Sequence, residues 1–129
     1  MMDARAYANL AGVHDDLIRV TKRAFELSSV PFTVTEGLRT LARQKQLVEA
    51  GASWTLKSRH LTGHAVDLAP LIGGRVRWDW PPFYELARAM KQAAADLGVA
   101  IEWGGDWRKK KDGPHFQLPW KQYPAKEET

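Results

Sequence analysis

The segment that most constrains this chain is KSRHLTGHAVDLAP, residues 57–70, in which a polar stretch runs into an alternating one. The alternation predicts a strand that has Val66 and Leu68 on one face and Asp67 on the other. Aspartate is disfavoured inside strands, and a buried carboxylate must find a cation or hydrogen-bond donors. Asp67 therefore indicates a polar or metal-binding site on one face of a sheet.

The chain has no cysteine, so any metal must be bound through nitrogen and oxygen. A catalytic zinc site of that kind needs three histidine or carboxylate ligands, and our candidates are His60, Asp67 and His115. Gly63 would let the chain turn so that His60 comes back towards Asp67. His64 lies three residues before Asp67 and is expected on the opposite strand face. The spacing alone is a weak signal, and an ordinary surface histidine is the alternative interpretation of His60.

The segment DGPHFQL, residues 112–118, supplies a further carboxylate. Phe116 and Leu118 suit a core, which leaves His115 on the other face of a short strand. The glycine and proline before it favour a tight turn. Such a turn can hold Asp112 beside a metal-bound water without making it a ligand, as a general base requires.

The remaining patterns predict one small α+β domain. Helical spacing predicts a helix over roughly residues 9–28, a second after Thr40, and a third from Asp79 to Gly98. Short apolar or alternating runs predict strands at FTVTEG, HAVDLA, GGRVRW, VAIEW and HFQL. Helices and strands do not follow a regular βαβ order, so we expect a small, mainly antiparallel sheet with packed helices. With 129 residues, the chain is expected to be a single domain, residues 1–129.

Charge and hydropathy limit the partners. The net charge of +4 favours an anionic partner without choosing one, and RKKK at residues 108–111 is either a solvated loop or an electrostatic attractor. A nucleic-acid binder would rest on that charge alone, so we expect none. No apolar run approaches the ~18 residues of a membrane helix, and the N-terminus has no secretory signal. We expect a monomer made in the cytoplasm without membrane insertion.

Three separated motifs resemble a known family of peptidases. SRHLTGHAVDL resembles the Ser-x-His-x6-Asp signature of the zinc peptidases that include D-alanyl-D-alanine carboxypeptidases, VanY-like enzymes and dipeptidases. EWGGDW followed by DGPHFQL resembles the L-alanyl-D-glutamate endopeptidases of bacteriophages, which serve as endolysins. TEGLRT is similar to the arginine segment of the family. The resemblance runs from about residue 32 to residue 120, with the motifs in the expected order.

The resemblance implies a zinc peptidase fold shared with the hedgehog and DD-peptidase domains, with one Zn²⁺ per chain. The implied metal ligands are His60, Asp67 and His115. The catalytic carboxylate of the family corresponds to Asp112. The arginine corresponds to Arg39, which would bind the oxyanion or a substrate carboxylate. The serine corresponds to Ser58, which would bind the substrate backbone or cap a loop.

The implied reaction is hydrolysis of the L-Ala–D-Glu bond in the peptidoglycan stem peptide, contributing to host cell lysis. The enzyme would act on periplasmic peptidoglycan after release, which implies a holin-type partner. We expect no separate wall-binding domain, as in the small endolysins of phages that infect Gram-negative hosts.

Two other functions remain open from the sequence. One is a D-Ala-D-Ala carboxypeptidase on the same scaffold, and the other is a zinc-fold wall-binding module without catalysis. Glu102 is a second candidate base, although we favour a supporting role behind a ligand. Asp106, Trp103 and Trp107 are expected to shape the groove or, for the tryptophans, to pack in the core.

Overall fold

A computed structural model describes residues 1–53 and 55–124 of the chain. Residue 54 and residues 125–129 lie outside the described residues. The helices are α1 (Ala4–Leu10), α2 (Asp15–Leu27), α3 (Leu41–Glu49) and α4 (Trp80–Leu97). The strands are β1 (Phe32–Glu36), β2 (Ala65–Ile72), β3 (Arg75–Val76), β4 (Glu102–Trp103) and β5 (His115–Gln117). This arrangement confirms the predicted α+β class.

The single helix predicted over residues 9–28 is wrong, because the chain breaks between α1 and α2. Gly12 adopts a positive φ of 83°, and the imidazole of His14 caps α2 by accepting a hydrogen bond from the Asp16 N–H at 3.1 Å. The buried side chains of Leu10 and Leu17 continue one apolar stripe across the break. That continuity explains the misprediction, since periodicity does not reveal a turn that preserves the stripe.

The sheet is antiparallel, with the order β1-β2-β5-β4, and β3 pairs with β2. Asp67 of β2 lies opposite His115 of β5. On its other side, the register shifts between Val34 and Glu36, so that Glu36 rather than the residue before it lies opposite Asp67. A bulge of this kind re-aims a side chain. Here it aligns two carboxylates and an imidazole in one row across three strands.

The other face of the sheet forms the core. Val34, Val66, Leu68 and Phe116 are buried there, together with the apolar stripe of α4. α4 begins after Asp79, as predicted, and ends at Gly98, which adopts a φ of 67°. The predicted strand at VAIEW is shorter than expected, because only its last two residues pair with β5. The core thus fixes the strands, and the opposite face is left for polar side chains.

Two turns bring further polar groups to that face. A 3₁₀ turn spans Arg59–Thr62, and Gly63 ends it with a φ of 75°. A Cβ on Gly63 would overlap the carbonyl oxygen of Gly12, so the position requires glycine. The second turn precedes β5 and is closed by the His115 N–H, which donates to the Asp112 carbonyl at 3.2 Å.

The C-terminal segment is tied down by Arg59. Its buried guanidinium donates to the carbonyls of Leu118, at 3.1 Å, and Tyr123. The ring of Trp120 lies 4.0 Å from the same guanidinium. In the part of the chain that is described, no helix combines the length and apolar character needed to cross a membrane.

Candidate metal centre

Three side chains from distant parts of the sequence converge on the polar face of the sheet. His60, Asp67 and His115 each offer one ligand atom, and these atoms lie within 4.8 Å of one another. Nε2 of His60 is 3.2 Å from Oδ1 of Asp67, and Nδ1 of His115 is 3.4 Å from the same oxygen. Four donors arranged tetrahedrally at 2.0–2.1 Å from an ion lie about 3.3 Å apart. The spacing therefore suits a small divalent metal ion.

The outer nitrogen of each histidine is already bonded. Nδ1 of His60 lies 2.8 Å from the Gly37 carbonyl oxygen, which accepts a hydrogen bond only from a protonated nitrogen. Nε2 of His115 lies 2.7 Å from Oε1 of Gln117. With protons on these outer positions, the inner nitrogens of both rings, which face Asp67, are the atoms that a metal can bind once they carry no proton. This is the tautomer that a metal requires of each ring.

The charges of the cluster act on one another. Burial alone would raise the pKa of Asp67, but the nearby His60 and His115 lower it well below its usual range. Burial would lower the pKa of His115, yet the hydrogen bond and charge of Asp67 raise it overall. The carboxylate is therefore ionised, and a metal that binds His115 must displace a proton at any pH below the raised pKa of that ring.

The Asp112 carboxylate lines the same groove without joining the ligand cluster. Burial and the charge of Asp67 raise its pKa, while His115, His60 and Arg39 partly offset that effect. Among the described residues, no group donates a hydrogen bond to this carboxylate. An unbonded carboxylate with a raised pKa can accept a proton from water.

Arg39 is buried behind Asp67. Its Nε and Nη2 donate to both oxygens of Glu36, at 2.7 and 2.6 Å, and Nη1 donates to Gln44 at 2.6 Å. Nη2 also lies 3.7 Å from Oδ2 of Asp67. The guanidinium is thus held rigidly, and it faces the oxygen of Asp67 that the histidines leave free.

A groove of about 610 Å³ opens over these side chains. Its walls come from the bulged strand β1, the loop after α3, the 3₁₀ turn, and the loop before β5. Its volume is in the range of ligand-binding clefts. The metal cluster and the free carboxylate therefore share one solvent-accessible space.

A model of the phage L-alanyl-D-glutamate peptidase family matches residues 1–118. The chain belongs to this family. It is 39% identical over 107 residues to the L-alanyl-D-glutamate peptidase of Escherichia phage T5, covering 80% of this chain and 78% of that protein. Membership confirms that the chain is a peptidase and confirms the family suggested by the sequence motifs.

Solved structures support the same assignment. The Serratia marcescens L-Ala D-Glu endopeptidase ChiX is 52% identical and superposes with a TM-score of 0.91, covering 97% of this chain and 95% of ChiX. The vancomycin-resistance D,D-dipeptidase VanXYg is 19% identical, with a TM-score of 0.54 over 82% of this chain and 50% of its own. The second likeness concerns the fold alone, and it agrees with the predicted zinc peptidase fold.

Other predicted residues of the peptidase lie around the groove in different settings. Ser58 lines it, and its hydroxyl accepts a hydrogen bond from the His60 N–H at 3.2 Å, which caps the 3₁₀ turn. His64 points away and contacts the hydroxyl of Thr62 at 2.7 Å. Asp106 is absent from the groove wall among described residues, and it pairs with Lys91 at 2.7 Å.

The two tryptophans of the EWGGDW segment separate into the two expected settings. Trp103 is buried in the core, and its indole N–H donates to the Gly113 carbonyl at 2.7 Å. Trp107 lines the groove and donates to Glu102 at 2.9 Å. Glu102 also accepts from Gln117 at 3.3 Å, so it stands behind His115 rather than beside Asp112.

The sequence interpretation missed three contributors to the peptidase site. Glu36 fixes Arg39, Gly37 binds His60, and Gln117 binds His115. The spacing His115-x-Gln117 places both side chains on one strand face, which is a usable signal. Glu36 and Gly37 became part of the site through a bulge and a backbone carbonyl, neither of which has a sequence signature.

Proposed function

We propose that this peptidase is a zinc-dependent endopeptidase that hydrolyses the L-Ala–D-Glu bond in the stem peptide of peptidoglycan. The choice of bond is supported by the phage T5 and Serratia relatives, whose names specify that linkage. The choice of metal rests on the convergence of two imidazoles and one carboxylate. This donor set is typical of catalytic zinc, which keeps a fourth position for water or substrate.

In the proposed reaction, His60, Asp67 and His115 hold the ion. Zinc bound there would supply Lewis-acid chemistry, polarising a carbonyl and lowering the pKa of water towards ~7. The Asp112 carboxylate accepts a proton from the attacking water while a bond forms to the L-Ala carbonyl carbon. The same carboxyl group then gives that proton to the D-Glu nitrogen as the C–N bond breaks. Its raised pKa suits both transfers.

We propose that Arg39 has two tasks. Through Nη2 it holds Oδ2 of Asp67, which keeps Oδ1 directed at the histidines. Its Nη1 donates one hydrogen bond, to Gln44, and has a second N–H with which to bind the oxyanion or a substrate carboxylate. Ser58 would place His60 by capping its turn and would offer its hydroxyl to the substrate backbone.

The biological setting follows from the same proposal. We propose that the chain acts as a monomeric, single-domain endolysin on periplasmic peptidoglycan, after synthesis in the host cytoplasm. A holin-type partner would provide the route across the membrane. Lys57 and Lys109 line the groove, which suits the acidic stem peptide.

The bond and the metal can be tested together by mass spectrometry of muropeptides after digestion, with and without a chelator. We expect fragments cut between L-Ala and D-Glu, loss of cleavage with chelator, and recovery with Zn²⁺. Release of terminal D-Ala instead would favour the carboxypeptidase, and cleavage that survives complete metal removal would contradict the zinc proposal.

The assigned base is tested by Asp112→Ala. We expect cleavage to fall by about 10²–10⁴-fold, because general acid–base catalysis contributes that much, while zinc content and thermal stability stay near wild type. Asp106→Ala is the matched control, since Asp106 is exposed and pairs with Lys91. Wild-type cleavage by the Asp112 variant would show that another group is the base. Zinc binding without cleavage in the wild type would instead favour the wall-binding module.

A further inference from the structure

A second hollow of about 210 Å³ adjoins the catalytic groove. Trp78, Asp112 and Pro114 line both spaces, so the two are continuous at the proposed base. The wall that belongs to the hollow alone includes Trp80 and Phe83. A ligand in the hollow would therefore lie directly beside the reaction centre.

Three exposed rings form what we call the aromatic shelf, made of Trp78, Trp80 and Tyr84. Their residues are 61%, 40% and 61% exposed, respectively. The ring of Trp78 stacks on buried Phe83, with centroids 6.3 Å apart and planes inclined by 22°. Exposed apolar residues that stand together mark a binding surface, whereas singly scattered ones do not.

The shelf is rigidly placed. Trp80 is the first residue of α4, and the two following prolines, Pro81 and Pro82, have fixed φ angles. Just before them, Arg77 and Asp79 flank Trp78, and Nε of Arg77 donates to the Asp79 carboxylate at 2.9 Å. Preorganised rings lose little conformational entropy when a ligand covers them.

The proposed substrate requires a bulky group at this distance. In peptidoglycan, the L-Ala of the stem peptide is amide-linked to the lactyl group of muramic acid, so one lactyl unit separates it from the sugar ring. Two residue lengths, at 3.3–3.6 Å each, place the sugar within about 7 Å of the scissile carbonyl. A peptidase that cuts after L-Ala must therefore accommodate a sugar ring next to its reaction centre.

Charge indicates which end of the stem peptide lies in the groove and which lies towards the hollow. Beyond the scissile bond the stem peptide is acidic, and the lysines Lys57 and Lys109 line the catalytic groove but not the hollow. Lys111 also lines the hollow, but it shares that space with the Asp112 carboxylate, and its ammonium group donates to the Gly105 carbonyl at 3.3 Å. Trp78, Trp80 and Phe83 give the hollow one aromatic wall, which suits the apolar C–H face of a sugar, and its polar groups can serve the ring hydroxyls.

We propose that the aromatic shelf binds the muramic acid ring that carries the scissile stem peptide, with Trp78 as the main contact. The inference rests on the proposed L-Ala–D-Glu endopeptidase function and specifies its substrate as glycan-attached peptide. A carboxypeptidase acting at the far end of the stem peptide would have no use for such a subsite.

The test compares two substrates that differ only in the sugar. One is a muramyl tripeptide, and the other is the same tripeptide capped with D-lactate. We expect Trp78→Ala to lower the ratio of kcat/KM values, muramyl over lactyl, by about tenfold, which corresponds to ~1.4 kcal/mol. Trp78→Phe should keep part of the preference, because it retains an aromatic face.

Two control variants locate the effect. Tyr7→Ala removes a 42% exposed ring from α1 and should leave both substrates unaffected. Trp120→Ala removes a 44% exposed indole from another part of the catalytic groove and should leave the ratio unchanged. An unchanged ratio in Trp78→Ala, or a fall in Trp120→Ala alone, overturns the shelf proposal while the endopeptidase stands. If the wild type cuts neither substrate after L-Ala, the endopeptidase proposal fails first.

Discussion

The two histidines of the metal cluster are held in position by different kinds of structure. His60 sits in a 3₁₀ turn and donates to a backbone carbonyl, that of Gly37. His115 sits in a strand and donates to a side chain, Gln117, which is in turn held by Glu102. A backbone support fails only when the fold is distorted. A side-chain support can be changed one atom at a time, so the two halves of the site should respond differently to mutation.

The largest effect is expected from Gly37→Ala, which attacks the backbone support. An added Cβ would overlap the Asn9 carbonyl oxygen and lie 2.8 Å from Cγ2 of Val13. Backbone cannot yield as a flexible side chain does, so we expect a loss of about 3 kcal/mol in the free energy of unfolding. Zinc binding should be lost with it, because the carbonyl that orients His60 moves. Urea unfolding and a zinc titration measure the two effects.

Gly51→Ala is a control for the general cost of replacing a glycine. No heavy atom lies within 4 Å of the position that its Cβ would take, but its φ is 73°, so the substitution carries only the backbone cost of ~1 kcal/mol. The comparison would be contradicted if Gly37→Ala were no more damaging than Gly51→Ala.

Gln117→Leu attacks the side-chain support and should have a graded effect. It removes the acceptor of His115 Nε2 while keeping a similar volume, so the fold should persist. Loss of such a partner typically reduces metal affinity 10–100-fold. Competition with a chelator measures the change, and Gln92→Leu on the exposed face of α4 is the matched control. An unchanged affinity would mean that Gln117 does not orient the ring.

A pH titration of the metal-free protein should separate His115 from His64, because their pKa values shift in opposite directions. The pKa of His115 is raised by Asp67, so the stability from this contact is complete below about pH 6.5 and is lost as pH rises through the raised folded pKa. The pKa of His64 is lowered by burial and by Arg59, which makes it an internal reference. Zinc competes with the His115 proton, so affinity should rise by up to tenfold per pH unit below that pKa. NMR of the imidazole protons measures the pKa of each histidine. A pKa of His115 lower than that of His64 would contradict the prediction.

Asp67 and Asp112 could be found from the residue pattern itself, for a reason that does not apply to the missed residues. Asp67 was identified because a carboxylate in an alternating strand is costly, and Asp112 because a glycine and a proline follow it. These are local consequences of residue type. The break between α1 and α2 left the apolar stripe intact, and the bulge that aligns Glu36 with Asp67 depends on how β1 and β2 pair. The bulge cannot be predicted without the tertiary register, and the break leaves no mark on the hydrophobic periodicity.

The smallest effect is expected from Glu102→Gln. This substitution tests whether His115 is supported by the negative charge of Glu102 or by the hydrogen bonds that Glu102 accepts. Glu102 accepts hydrogen bonds from Gln117 and Trp107 through one oxygen, and the amide oxygen of glutamine can accept both. If these hydrogen bonds are sufficient, zinc affinity should change by less than about threefold. Glu102→Leu removes the acceptor and should approach the effect of Gln117→Leu, because Gln117 is then free to turn. Equal losses in both Glu102 variants would instead assign the support to the negative charge, and the side-chain half of the site would then be electrostatic rather than geometric.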